Sequence, residues 1–458
     1  MHEIGILISL ILLIYIAYRG YSVIVFAPVC ACVAALIASY PLLPLYTEKF
    51  MPAAAGYVRN FFPIFVLGAI FGKLIEETGM AKSIAEKFSE VCGAQRALYA
   101  IVLSSAFLTY GGVSLFVTVF AVYPVAASLC KKADIPKRLI PGCIAFGSFT
   151  FAATFIPGSP QIQNIISTRY FHTTAYAGPV LGIVTAAFVF ALGMAWLEYR
   201  RSSAQKLGEG YGTGHTNESE VVDNIPPPPF LLSIIPLLLV LVLNYVFTQM
   251  ILGWDAKEYE PLFGKINMAT VVGTWALVIA LIIGNLLVIA MFGKRLGVEN
   301  IKKCINGGAI GSLLAVLNTA SEVGYGSIIS QLPGFKTLSG AITSIRVGGT
   351  PLLSLGIAVS VLAGITGSGS GGLSIALEML SAQYIEWANQ LGMDVQLLHR
   401  IASMSCTGLD TLPHNGAVIT LLAVTGLTHK QSYVDIGVCT VLITTVVAWG
   451  SAVVMSIA

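Results

Sequence analysis

Thr366-Gly367-Ser368-Gly369-Ser370-Gly371-Gly372-Leu373-Ser374 lies inside otherwise membrane-grade apolar sequence. Pro351 to Ile365 before it is apolar apart from two Ser and two Gly, and Ile375-Ala376-Leu377 follows. Glycine and serine at that density do not hold a plain lipid-facing helix, because Gly costs about 1 kcal/mol relative to Ala in a helix interior. Backbone released from a helix at membrane depth must be buried in protein or line a watery cavity. A transporter uses such a break to present N–H and C=O groups to a solute. The tract therefore predicts an all-α polytopic membrane protein that moves a solute.

The composition agrees. Hydrophobic residues make up 56% of the 458, charged residues 10%, and mean hydropathy is +0.83, whereas soluble domains carry about 25% charge. Met1-His2-Glu3 followed by Ile4 to Tyr18 lacks a basic n-region and a small-residue cleavage site, so it reads as a retained first span. The net charge of +3 sits in short loops and predicts no nucleic-acid partner. Eight scattered Cys with no CxxC read as small apolar fillers, and neither a cofactor nor a metal is expected. No GxxxxGK[ST] supports ATP-driven transport, and Gly367-x-Gly369-x-x-Gly372 follows a membrane segment rather than a strand of a βαβ unit.

At about 20 apolar residues per span, ten spans are expected, at 4–18, 22–45, 60–77, 139–165, 174–198, 230–250, 267–292, 305–323, 401–427 and 433–456. Two hairpins are expected at 97–130 and 347–393, and an amphipathic interfacial helix at 80–96. Residues 200–229, ending in Pro226-Pro227-Pro228-Pro229, read as a linker between halves 1–199 and 230–458. Asn217-Glu218-Ser219 inside it matches a glycosylation acceptor by chance. The halves echo each other: Glu77-Thr78-Gly79 and Glu322-Val323-Gly324 each end a span, and Gly111-Gly112-Val113-Ser114 parallels Gly371-Gly372-Leu373-Ser374. Arg138 opens a span broken at Pro157-Gly158-Ser159-Pro160, and Arg400 opens one broken at Pro413-His414-Asn415-Gly416. Lys82, Lys87, Arg96, Lys131, Lys132, Lys137 and Arg138 flank the first hairpin, against Lys336, Arg346 and Arg400 around the second. That bias places the first hairpin's open end in the cytoplasm, inverts the second repeat and leaves both termini outside.

Helix N-termini at the breaks suit one carboxylate. Gly111, Gly112, Gly369 and Gly371 offer backbone to the solute, and Ser114, Ser159, Gln161, Asn164, Ser368, Ser370, Thr411, His414 and Asn415 offer side-chain hydrogen bonds. No Arg or Lys is expected inside the breaks, which favours a small monoanion over a dicarboxylate or phosphate. Ionisable groups within spans are costly and functional by default. Asp410 leads the proton-coupling candidates, with His414, Glu77 and Glu322 behind it; Glu378 also lies in a span, while His172 and His399 are expected in solvated loops. The alternative for Asp410 and His414, one helical turn apart, is capping of the helix ends exposed by Pro413.

Asp410-Thr411-Leu412-Pro413-His414-Asn415-Gly416-Ala417-Val418, the Gly-Ser tract and Ile156-Pro157-Gly158-Ser159-Pro160-Gln161-Ile162-Gln163-Asn164 resemble the gluconate:proton symporter (GntP) family of the ion transporter superfamily. The resemblance implies an inverted-repeat, elevator-type carrier, proton symport, a bacterial inner membrane and a homodimer. Gluconate carriers have a His-Pro-Gly-Pro-type segment where this chain has Pro157-Gly158-Ser159-Pro160, so the likeness is to the branch of D-3-hydroxybutyrate permeases, with lactate and gluconate behind. A channel, a membrane-embedded enzyme and sodium coupling are the competing readings.

Overall fold

The computed structural model describes residues 2–19, 21–215, 226–254, 260–264 and 266–457. All regular elements in them are helical, and the one strand-like feature is a bridge between Val347 and Thr350. Helices α1 (His2–Tyr18) and α2 (Val23–Ile37) open the chain. A turn with Ser39 at φ 60° and then Pro41 starts α3 (Leu42–Glu77). Residues 46–59, expected outside any span, are therefore helical. The helix takes a π turn over Tyr46–Phe50, which keeps Glu48 and Lys49 exposed while Leu45 and Phe50 are buried.

The first half continues with the amphipathic α4 (Met80–Cys92) and a hairpin of α5 (Ala97–Tyr110) and α6 (Leu115–Lys132). A broken pair follows, α7 (Leu139–Phe155) and α8 (Ile162–Phe171), and then α9 (Pro179–Lys206). The second half comprises α10 (Phe230–Leu252), α11 (Met268–Ile329) and α12 (Pro333–Thr343). Its hairpin is α13 (Leu352–Thr366) with α14 (Gly369–Gln390), its broken pair α15 (Val395–Ser405) with α16 (Gly416–Thr425), and α17 (His429–Ile457) closes it. The first break, at 156–161, contains Pro157 to Pro160, whereas the second runs from Cys406 to Asn415 and so begins before Pro413. In the Gly-Ser tract only Gly367 and Ser368 leave the helix, Gly369 to Ser374 being the first turns of α14. The order of long helix, short amphipathic helix, hairpin, broken pair and closing helix recurs in both halves.

Three expectations are redrawn. The spans 267–292 and 305–323 are two arms of α11, meeting without a loop at Gly297, whose φ of 74° and ψ of 159° leave the helical region. Glu322 consequently sits inside the second arm and does not end it. Helix α9 runs past residue 200, so the segment read as linker begins as helix. After its end, Tyr211 N donates to Asp134 Oδ1 at 2.8 Å and Arg138 pairs with Glu209 at 2.6 Å. Asn217-Glu218-Ser219 lies outside the described residues.

Among the described residues five helices are long and apolar enough to cross a membrane, six if the bent pair Met80–Cys92 and Ala94–Tyr110 counts as one. The first, second and half-length helices are shorter, so the expected ten spans are not matched one to one. Helix α11 runs along α3, α10 and α2. The broken pairs pack among the hairpins, α9 and α17, which buries the breaks.

Candidate functional site

Each hairpin tip seats on the break of its own half. In the first junction Gln161 Nε2 donates to Thr109 O at 2.7 Å and Val113 O at 3.3 Å, and the Tyr110 hydroxyl donates to Pro157 O at 2.8 Å. Gly112 takes φ 91° there, and a Cβ on it would stand 3.3 Å from Pro160. In the second, Asn415 Nδ2 donates to Gly367 O and to Asp410 O, both at 2.9 Å. A Cβ on Gly369 would meet Asp410 Oδ2 at 2.8 Å, so glycine is what allows the tip to approach that carboxylate. The junctions are joined in turn: Thr154 and Thr407 share a hydrogen bond of 3.1 Å, and Ser403 Oγ donates to Ser167 Oγ at 2.9 Å.

Four helices start at these junctions. Ser114 caps α6 through Val117 N at 3.5 Å, Ser368 caps α14 through Gly371 N at 3.1 Å, and Gln161 precedes α8. Asn415 caps α16, accepting from Ala417 N at 2.7 Å and Val418 N at 3.0 Å. The capping expected of Asp410 or His414 is thus done by Asn415. Asp410 and His414 do not share a helix face, because Leu409–Thr411 is a lone 3-10 turn and α16 begins only at Gly416. Asp410 Oδ1 accepts instead from Gly408 N at 3.0 Å. The His414 ring packs against Gly367.

Most of the expected solute ligands hold the protein to itself. Asn164 donates to Ser159 O at 2.8 Å and Ala175 O at 3.0 Å. Ser159 is wholly buried, and Thr411 donates to Gly408 O at 2.8 Å. Ser370 is the freest of the set, half-buried at the second tip with a 3.5 Å contact to Ser368 Oγ. Glu77 is exposed at the end of α3. Glu378 is exposed on α14 and accepts from the Tyr170 hydroxyl at 2.9 Å.

Glu322 is different. It is 2% exposed on α11, and its Oε2 has no hydrogen-bond partner among the described residues. A Cβ on Gly371 would stand 1.8 Å from that oxygen, so the carboxyl lies directly against the second tip. Tyr57 of α3, with Thr319 and Ser374 beside it, lies nearby.

Two expectations fail at Arg400 and His399. Both are fully buried, because α15 starts at Val395 behind its Asp394 cap and carries them into the bundle. Arg400 donates to Thr154 O at 3.0 Å, to Ala175 O at 3.3 Å and to Ala177 O at 2.6 and 2.9 Å. A cation therefore does stand at the first break, where it satisfies carbonyls that the ending of α7 and the 172–178 turn leave open. His399 bonds Thr173 Oγ1 at 2.6 Å and Asn164 Oδ1 at 3.1 Å. An Arg amid Leu397, Leu398, Ile401 and Ala402 was the available signal. His172 is exposed, as expected, and Lys137, counted among the loop charges, is buried with its ammonium 5.7 Å from the Tyr123 ring centroid.

Residues 2–319 match the family described as GntP family permease. The uncharacterized transporter YxjC of Bacillus subtilis (strain 168) is 45% identical over 462 residues, covering 98% of this chain and 97% of its own. An uncharacterized transporter of Haemophilus influenzae is 32% identical over 135 residues, 30% of this chain and 31% of its own. The crystal structure of the Alcanivorax borkumensis YdaH transporter is similar in fold, with a TM-score of 0.53 at 15% identity over 88% of this chain and 86% of that one.

Proposed function

This chain belongs to the GntP family of permeases, a transporter and not an enzyme, and on that premise we propose that it carries a short hydroxy monocarboxylate in symport with a proton. The observation that carries the reading is the pair of tip-on-break junctions, where four helix N-termini start from glycine-rich backbone. Such ends present unpaired N–H groups and positive dipole to an anion. A single carboxylate suits them, since the buried guanidinium of Arg400 is already spent on carbonyls. The few side-chain groups left at the tips pair one hydroxyl, as in 3-hydroxybutyrate, better than the chain of hydroxyls in gluconate. Lactate is the nearer rival.

Glu322 and Asp410 are the coupling candidates. Asp410 is engaged by backbone, whereas Glu322 has an unpartnered oxygen at a helix–hairpin contact, and an isolated carboxylate there is costly unless protonated. We place the chain in a bacterial inner membrane with both termini outside, as a homodimer whose junction-bearing part moves against α3 and α11. Sodium in place of the proton is the second reading, favoured by the bare Gly-Gly-Val-Ser and Gly-Ser-Gly-Ser backbones of the tips.

The test is uptake of a labelled hydroxy-acid panel into proteoliposomes under an imposed pH or sodium gradient, with counterflow as control. The reading predicts accumulation of 3-hydroxybutyrate driven by the pH gradient alone. Accumulation that needs sodium, or competition won by gluconate or succinate, overturns the assignment of coupling or substrate. A channel or an enzyme would give no counterflow.

A further inference from the structure

A cavity of about 400 Å³ lies between α3, α8, both arms of α11 and α14, apart from the two junctions. Arg169 lines it, half-buried, and makes no hydrogen bond or ion pair with any described residue. The guanidinium of Arg59 is its neighbour. Glu378 shares the cavity, but its carboxylate is engaged by the Tyr170 hydroxyl at 2.9 Å. Arg59 itself is exposed and outside the lining, so within the cavity the Glu378 carboxylate is taken by Tyr170 while the Arg169 guanidinium has no bonded anion among the described residues. A half-desolvated guanidinium without an anion is unfavourable, and its planar fork matches a carboxylate in two parallel hydrogen bonds.

The cavity is also well placed. Its α3 lining, Ala53 to Phe61, lies four or more helical turns from Glu77, the end that leads into the Lys-bearing segment around the first hairpin (Lys82, Lys87, Arg96). By the charge bias it opens outside the cell. Val323 at its inner wall follows Glu322, which abuts the tip residue Gly371. We propose that this cavity is an outer capture site, in which Arg169 holds the carboxylate of a small organic anion before it passes to the second junction. The proposal rests on the reading of the chain as an anion carrier.

A thiol placed in the cavity tests it without relying on transport. Asn60→Cys puts a reporter on the lining, in a background carrying Cys32→Ser and Cys92→Ser to remove the half-buried native thiols. The probes are an anionic sulfonatoethyl and a cationic trimethylammonioethyl methanethiosulfonate, added from outside to intact right-side-out vesicles. Relative to a free thiol, the anionic reagent is expected to react faster than the cationic one. Arg169→Gln should lower that ratio roughly tenfold by removing the focused field, while Arg169→Lys retains most of it. Millimolar 3-hydroxybutyrate or acetate should slow the anionic reagent when Arg169 is present and not in Arg169→Gln. A ratio indifferent to Arg169→Gln, or a reporter that neither reagent reaches from outside, overturns the capture site. A protein that labels as expected but takes up no hydroxy acid supports the capture site and overturns the substrate assignment instead.

Discussion

At the residue scale, the two junctions depend on groups that no neighbour replaces. Asn415 caps α16 with its carbonyl and bonds Gly367 O and Asp410 O with its amide. Loss of a cap and two buried bonds should cost about 2–3 kcal/mol, so Asn415→Ala is expected to lower the Tm of the detergent-purified protein, whereas Asn415→Asp keeps the cap alone and falls between. Unchanged melting in Asn415→Ala would show that the junction does not hold the fold. Gly371 is constrained by the Glu322 carboxyl, 1.8 Å from where a Cβ would be. Gly371→Val should therefore insert normally yet abolish counterflow, and adding Glu322→Ala should restore part of that exchange by making room. Gly112→Val is expected to abolish uptake too, since φ 91° suits no β-branched residue and Pro160 stands behind it. Coupling is separable from binding: Glu322→Gln should lose pH-driven accumulation while keeping counterflow. Asp410→Asn, if its carboxylate only accepts backbone N–H, should lose Tm with accumulation intact. The reverse pattern returns the proton to Asp410.

At the scale of elements, punctuation made the fold legible and long-range pairing did not. Gly, Ser and Pro interrupt the apolar runs at 111–114, 157–160, 367–368 and 413–415, and each of these stretches lies between helices, although α15 already ends at Ser405. The charged start of α3 misled because a π turn turns Glu48 and Lys49 outward without ending the helix. The bend at Gly297 misled because a glycine at φ 74° reverses direction with no loop residues to mark it. Arg400 and His399 were illegible as site residues because their partners, from Thr154 to Ala177, lie more than two hundred residues away in sequence. The strap after α9 was hidden in the same way. Arg138 beside Glu209 holds that carboxyl below the ordinary glutamate range, so the pair stabilises the folded protein above the ordinary value. That stability is lost as pH falls through the depressed value. Glu209→Gln should lower Tm slightly at pH 7, by less than about 1 kcal/mol for a pair this exposed. The difference from the parent should shrink as pH falls below the ordinary glutamate pKa near 4.3 and vanish beneath the depressed value. A difference that persists in acid would mean that the strap is held by something other than this pair.

At the scale of the whole molecule, the question is what moves. Helices α3 and α11 lie along one another, and the junctions hang on the hairpins and broken pairs, which bond mostly among themselves. The far side of that second group is fixed by Asp435 of α17, held by Arg138 at 3.2 Å, Arg200 at 2.7 Å and the Trp196 indole at 3.2 Å. Those bonds tie the starts of α7 and α17 to the end of α9, so the group can travel as a unit. In its contact with α11, Gly326 faces Ile375, where a Cβ on the glycine would stand 3.6 Å from the Ile375 Cα, one turn beyond Glu322 and Gly371. A contact with glycines on both sides and an unbonded Glu322 oxygen suits sliding, and the approach is close enough for a disulfide. Gly326→Cys with Ile375→Cys, in the Cys32→Ser, Cys92→Ser background, should form one under mild oxidant and stop counterflow, and reductant should restore it. Each single variant should exchange substrate with or without oxidant. If the cross-linked protein, verified by its shifted migration, still exchanges at the parental rate, α11 and α14 stay together through the cycle and the moving boundary must be drawn elsewhere.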